Sequence, residues 1–171
     1  MLFLADTSIN VDPSAKELAK IAHMTAQVVK MFGVDPVVAL LSYNNFGSSP
    51  FPQAKKVAQA VSYLHRLHPN LIADGPIQSD FALNNKMLGE RFPFSSLNNK
   101  KVNTLIFPNL DAANITYKII KELGKTSSIG PILMGLENSA HILQVGASVD
   151  EMVNMAAIAG IDAQEKLKLK S

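Results

Sequence analysis

The chain has 171 residues, 47% hydrophobic and 18% charged, with a formal net charge of +2; this size suits one globular domain that buries roughly two thirds of its unfolded surface. The basic residues are scattered, which excludes the basic stripe of a nucleic-acid binder, and the absence of cysteine excludes disulfides, thiolate metal sites and a cysteine nucleophile. No apolar run approaches the ~20 residues that span a bilayer, and the start Met1-Leu2-Phe3-Leu4-Ala5-Asp6 lacks the basic opening and long apolar stretch of a signal peptide, so a soluble cytoplasmic protein with no membrane or nucleic-acid partner is expected.

Short apolar runs alternate with helical patterns, which predicts α/β architecture. Leu2-Phe3-Leu4 reads as a strand that begins almost at residue 1, as though the chain were cut just before it. Asp12-Pro13 and the pair Ser14 and Glu17 form a capping-box pattern. Leu18, Ile21, Ala22, Val28, Val29 and Phe32 continue at helical spacing to Gly33, a C-cap candidate. Val37 to Leu41 reads as a buried strand, Asn44 to Pro52 as a loop, and Ala54, Val57, Ala58, Val61 and Leu64 as one face of the next helix. Leu71 to Ala73 is a predicted strand, Ser79 to Met87 a short helix and residues 88 to 101 a loop. Val102 to Phe107 is a strong strand stopped by Pro108, and a helix follows from Ala112 to Leu123 with Gly124 as its cap. Ile129 to Met134 and His141 to Leu143 read as further strands. Val149 to Lys168 is a final amphipathic helix, whose Lys166, Lys168 and Lys170 mark a solvated end. No repeat, low-complexity tract or linker interrupts the chain.

Two loops could carry chemistry. Asn44-Asn45-Phe46-Gly47-Ser48-Ser49 joins a strand to a helix, where backbone N–H groups and hydroxyls can meet an anion. It lacks the lysine of a P-loop and the glycine fingerprint of a dinucleotide site, and an ordinary connecting loop is the favoured reading. Asn109-Leu110-Asp111-Ala112-Ala113-Asn114 lies where a strand meets a helix, the position at which open α/β sheets collect ligands. Asp111 there is either a general base or a helix N-cap. His65 and His68, spaced i, i+3, could present two metal ligands on one helix face, but no third ligand is near in sequence. His23 and His141 are isolated, and Met152 and Met155 suit core packing. The only arginines are Arg66 and Arg91, few for an enzyme that must hold a phosphate by bidentate contacts.

Several stretches together resemble the phosphotransacetylase family. They are Leu2-Phe3-Leu4-Ala5-Asp6 with Asn10 and Pro13; Val38-Ala39-Leu40-Leu41-Ser42 through Gly47-Ser48; Asp74-Gly75-Pro76-Ile77-Gln78 with Asp80 and Ala82-Leu83; Leu105-Ile106-Phe107-Pro108-Asn109-Leu110-Asp111-Ala112-Ala113-Asn114 with Tyr117-Lys118; Gly130-Pro131-Ile132-Leu133-Met134-Gly135; and Val153-Asn154-Met155-Ala156-Ala157. They cover nearly the whole chain in the family's order. Asn45-Phe46-Gly47-Ser48-Ser49, Phe94-Ser95-Ser96-Leu97 and His141-Ile142-Leu143-Gln144 most resemble one branch, the phosphotransacetylase-like tail of large bacterial NADP-dependent malic enzymes.

The resemblance implies a three-layer α/β/α fold with a mainly parallel sheet, of the isocitrate/isopropylmalate dehydrogenase-like kind. Residues 1–148 would form the second subdomain of a two-subdomain unit, and residues 149–171 a helix that packs on the first, encoded before residue 1. The family passes an acetyl group between phosphate and coenzyme A. A carboxylate takes the thiol proton, and a Ser-Arg pair in an Asn-Asp-Leu-Ser-Arg-Gly motif stabilises the acyl centre. Here that motif aligns with His141-Ile142-Leu143-Gln144-Val145-Gly146, so Gln144 replaces the serine and Val145 the arginine. The carboxylate falls on Glu151, with Asp111 a second candidate. Losing one transition-state donor costs about 2.7–4 kcal/mol, so an inactive transferase site is expected. Tails of this branch commonly keep an arginine after the glutamine, so Val145 bears on ligand affinity too. The cleft would be lined by Gly47, Ser48, Asn109, Asp111, Asn114, Gly130, Gln144 and Gly146. The expected ligand is acetyl-CoA or a related small-molecule effector. NADP and a divalent metal would bind only in a malic enzyme core joined in cis, and the assembly would be a homo-oligomer. An active phosphate acetyltransferase and a structural oligomerisation domain are the alternatives.

Overall fold

The computed structural model describes residues 1–124 and 128–170. Its elements in chain order are β1 (Phe3–Ala5), α1 (Ala15–Met31), β2 (Val37–Leu41), α2 (Pro52–Leu67), β3 (Ile72–Ile77), α3 (Ser79–Leu83), α4 (Asn85–Arg91), β4 (Thr104–Ile106), α5 (Leu110–Gly124) and α6 (Val149–Lys170). The chain divides into two compact units, residues 1–117 and 118–171.

In the first unit the four strands form one all-parallel sheet in the order β1-β4-β2-β3. Parallel strands are covered on both faces and therefore read as continuous apolar runs; every residue of β2 is buried. Its alternate side chains serve two cores. Val38 and Leu40 join Leu18, Ala22, Val57 and Leu64 from α1 and α2, while Val37, Ala39 and Leu41 join Ala82, Leu88 and Leu97 on the opposite face. The expected α/β fold with a parallel sheet is thus observed, with helices on both sides.

Local chemistry sets the element ends. The Ser14 hydroxyl accepts the Glu17 N–H at 3.4 Å and the Glu17 carboxylate accepts the Ser14 N–H at 2.8 Å, so the capping box fixes the start of α1. Gly75 lets β3 pass β2 closely, since a Cβ there would lie 2.5 Å from the Leu40 carbonyl oxygen. That contact explains how β3 runs on to Ile77 instead of ending at Ala73. The helix expected over 79–87 is two, because the Asn84 side chain accepts the Met87 N–H at 3.1 Å and caps a new helix. Residues 88–91, expected as loop, complete that helix.

The second unit contains the end of α5, an irregular stretch over 128–148 and α6. Neither Ile129–Met134 nor His141–Leu143 forms a strand. Their polar groups pair locally instead: the Leu133 N–H goes to a histidine nitrogen, and Pro131 has no N–H to contribute to a ladder. α6 buries Met155, Ile158 and Asp162, a spacing of three and four that marks one helical face. Met152, expected to pack, is 45% exposed.

Candidate functional site

Because the sheet is parallel, the carboxyl ends of all four strands share one edge. In doubly wound sheets that edge gathers ligands. After β1, the Asp6 carboxylate accepts N–H groups from Ser8, Ile9 and Asn10 at 2.8, 3.1 and 2.9 Å and the Asn10 side chain at 2.6 Å. Burial works against its ionisation, but the Ser8, Asn10 and Ile9 donors outweigh burial and hold its carboxyl below the ordinary 3.8. After β2, the Asn45 side chain pairs twice with Gln78 at the end of β3, at 2.6 and 2.8 Å, while Gln78 donates to the Tyr43 carbonyl at 2.9 Å. Gly47 and Ser48 sit at the exposed tip of this loop, closed by the Ser48 N–H on the Asn45 carbonyl at 3.1 Å. Deeper in the loop, Asn44 is buried, and its side-chain Oδ1 accepts the Ser42 hydroxyl at 2.7 Å. Its Nδ2 has no partner among the described residues, a deficit that costs about 1–3 kcal/mol when nothing fills it.

After β4, Asn109 rather than Asp111 caps α5, its side chain accepting the Ala112 N–H at 2.9 Å. Asp111 lies in the first turn, exposed. Asp111 is therefore not the N-cap of α5. Asn114 reaches back to the Thr7 carbonyl at 3.0 Å. Lys56, from α2, ties the β1 and β4 loops together through Asp12 at 2.5 Å and the Pro108 carbonyl at 2.8 Å. Sequence reasoning missed Lys56, whose two contacts cross 44 and 52 positions of the chain.

The second unit holds the remaining candidates. Gly130, Gln144 and Gly146 lie in its irregular stretch, with Gln144 and Gly146 exposed. Val145 is fully exposed and brings no charge to the position. Glu151 serves the start of α6: its carboxylate accepts the Ser148 N–H at 2.8 Å and its own N–H donates to the Ser148 hydroxyl at 3.2 Å. Those two Ser148 bonds, with Lys121 at 3.6 Å, hold its carboxyl below the ordinary 4.5. Such a group is a poor proton acceptor near neutral pH.

Arg66 does not join the carboxyl edge of the sheet. Arg66 lies at the last turn of α2, which leads into the amino end of β3, and packs on the Tyr63 ring at 5.2 Å. Arg91 is exposed at the end of α4. A shallow hollow of about 280 Å³ lined by Gln59, Ser62, Tyr63 and Arg66 lies on α2, away from that edge. The histidines do not assemble a metal site: the His65 Nε2 pairs with the Ala73 carbonyl at 2.7 Å, and His68 stacks on His23 at 3.5 Å. No group of three His, Asp or Glu side chains converges among the described residues. No helix among them is long and apolar enough to cross a membrane.

The sequence also missed a cluster in the second unit. The His141 and Asp162 side chains are 1% and 3% exposed and 3.5 Å apart, with Lys166 2.7 Å from Asp162. Ser139 lies 3.4 Å from the His141 Nε2 and donates to the Ala159 carbonyl at 3.0 Å. Ser, His and Asp together suggest a nucleophilic triad, which needs serine and carboxylate on opposite ring nitrogens. Here both face Nε2, while Nδ1 accepts the Leu133 N–H at 3.2 Å. The cluster is therefore a brace between the irregular stretch and α6.

A parallel sheet flanked by helices on both faces defines the class of an open α/β domain. Within that class, the Phosphate acetyl/butaryl transferase family model matches residues 1–160, and the chain belongs to this family. It is 42% identical over 163 residues to an NADP-dependent malic enzyme of Escherichia coli, covering 95% of this chain and 21% of that protein. A phosphate acetyltransferase of Buchnera aphidicola is 38% identical over 163 residues, covering 95% of this chain and 23% of that protein. The crystal structure of a phosphotransacetylase from Streptococcus pyogenes superposes with a TM-score of 0.85 at 38% identity, over 94% of this chain and 49% of that one. The chain thus spans about a fifth of the malic enzyme and half of the solved transferase.

Proposed function

We propose that the chain is a regulatory, catalytically inactive phosphotransacetylase-like domain of an NADP-dependent malic enzyme, sensing acetyl-CoA or a related metabolite. The observation that carries the inactive reading is Val145, an exposed apolar side chain where acyl transfer calls for a charged donor. Glu151 supports it, since its carboxylate is engaged in capping α6. The unpartnered, buried Asn44 amide supports retained binding: it offers a donor to a polar ligand at the carboxyl edge of the sheet. Gly47, Ser48, Asn109, Asp111, Asn114, Gly130, Gln144 and Gly146 are the proposed ligand-binding residues. Occupancy regulates the parent only through differential affinity for two states of the enzyme, a coupling of typically about 1–3 kcal/mol.

In this reading a malic enzyme core in cis converts malate to pyruvate, carbon dioxide and NADPH. That core holds the NADP and the divalent metal. The fold extends to the isocitrate/isopropylmalate dehydrogenase-like kind, residues 149–171 pack on a first subdomain outside this chain, and the protein is a cytoplasmic homo-oligomer. The test assays the parent with acetyl phosphate and coenzyme A, and its malate oxidation with and without acetyl-CoA. No transferase turnover with acetyl-CoA-dependent malate oxidation is expected. The second reading, an active phosphate acetyltransferase, is favoured by the exposed Asp111. Appreciable turnover abolished by Asp111→Ala or Glu151→Ala would establish it and overturn the regulatory one.

A further inference from the structure

We infer that His141 is a proton-operated latch, whose neutral ring, seated beside Asp162 of α6, pins the Leu133 segment of the irregular stretch and whose protonation releases that segment. This goes beyond the regulatory reading and does not depend on it.

The ring's two nitrogens are committed in opposite senses. Nδ1 accepts the Leu133 N–H at 3.2 Å, so it must carry a lone pair. The ring proton then sits on Nε2, which faces Asp162 at 3.5 Å and Ser139 at 3.4 Å. Protonating the ring places a second N–H on Nδ1, pointing at the Leu133 N–H. Two donors cannot share that line, so one must move.

The surrounding charge gives the extra proton no home. The titratable groups facing the ring among the described residues are Asp162 and Lys166, both on α6. At 2.7 Å, Lys166 already neutralises Asp162, and it also donates to the Asn138 carbonyl at 3.3 Å. An imidazolium would therefore add an uncompensated charge to a site whose His and Asp side chains are almost fully buried. Burial is the largest influence and pushes the His141 ring below its ordinary 6.5; Asp162 pulls the other way, and Lys166 adds to the downward push.

The sign follows from linkage. A histidine depressed when closed binds a proton more readily once open. Closure is thus undisturbed above pH 6.5. Opening becomes more favourable by about tenfold per pH unit below that value, until the closed ring itself titrates.

The stretch that would loosen carries Gly130 and Gln144, two of the proposed ligand-binding residues. A ligand site including them would come apart on acidification, while the sheet of the first unit would not.

The test is amide hydrogen exchange of the 171-residue chain from about pH 7.5 to about pH 5, the range over which histidine titrates, with the ring followed by NMR. Correction for intrinsic exchange should leave a fall in Leu133 protection beginning near 6.5, while Val38 and Leu40 in β2 keep theirs. His141→Asn keeps an acceptor for the Leu133 N–H that does not titrate, and its Leu133 protection should be flat across the same range. Lys166→Met removes the cation competing for Asp162, and should raise the ring's titration midpoint. A ring that titrates at or above 6.5 in the unaltered chain, Leu133 protection that ignores pH, or no midpoint shift in Lys166→Met each overturns the latch. The ring titration and the Lys166→Met shift stand even where His141→Asn fails to fold. Transferase and acetyl-CoA assays read the regulatory proposal separately.

Discussion

The two units of this chain are ordered by different means. Residues 1–117 take their order from backbone ladders and two apolar clusters divided by one sheet. In the second unit, residues 128–148 contain no helix or strand, and the connection to α6 rests on side chains: Ser139 to Ala159, His141 beside Asp162, and Lys166 to Asn138. A ladder spreads its stabilisation over many equivalent bonds. A brace concentrates it in a few groups, so that one substitution or one proton can undo it. The difference teaches where this domain can change state at low cost.

Emptying the first unit's core should break the comparison most severely. Leu40 is fully buried in β2, and Leu40→Ala should cost about 2–5 kcal/mol, read as a lower urea midpoint by far-ultraviolet circular dichroism. The loss should reach every strand, because β2 pairs with both β3 and β4. The matching change in the second unit is Asp162→Ala. It removes the carboxylate that Lys166 and His141 share and should cost about 1–3 kcal/mol, the penalty of leaving a buried polar group unpaired. Hydrogen exchange should rise over residues 133–141 while the amides of β2 stay protected. Equal loosening of both units would show that the brace also supports the sheet.

The same contrast governs what the amino-acid sequence discloses. β2 occupies the predicted residues 37–41, and α1 begins where its capping box predicts; both signals are local. β3 runs past the predicted Leu71–Ala73 to Ile77, because Gly75 allows close passage by Leu40. Ile129 to Met134 has the apolar composition of a strand, and nothing within it tells whether a neighbour will accept its N–H groups. Asp111 reads as a possible cap, yet Asn109 two residues earlier fills that place, since helix starts are uncertain by a residue or two. Asp162 and His141 are 21 positions apart in sequence, and no spacing rule connects a histidine in an irregular stretch to a helix that follows it. The site residues read from local strand-to-helix loops were placed at the sheet edge; the groups that brace those loops were visible only in three dimensions.

Capping offers a finer test, because both units use the same device. Ser14 caps α1 and Ser148 caps α6, each with a glutamate three residues on. Ser14→Ala and Ser148→Ala should each cost about 0.5–2 kcal/mol. The first should lower the urea midpoint of the whole first unit. The second should appear mainly as faster exchange in the first turn of α6. A global effect from Ser148→Ala would show that the two units unfold together.

The smallest expected effect separates structure from chemistry at Glu151. As the capping-box partner of Ser148, this side chain needs only an acceptor oxygen, and glutamine supplies one. Glu151→Gln should therefore leave the α6 amides nearly as protected as before and the urea midpoint almost unmoved. Its electrostatic losses are the charge behind the Ser148 N–H bond and the exposed contact with Lys121 at 3.6 Å, a kind of pair that contributes little. A base for the coenzyme A thiol would behave oppositely: glutamine cannot take the proton, so transferase turnover would collapse while the helix stayed intact. Measuring both on one variant assigns the residue, since capping tolerates the loss of charge and proton transfer does not.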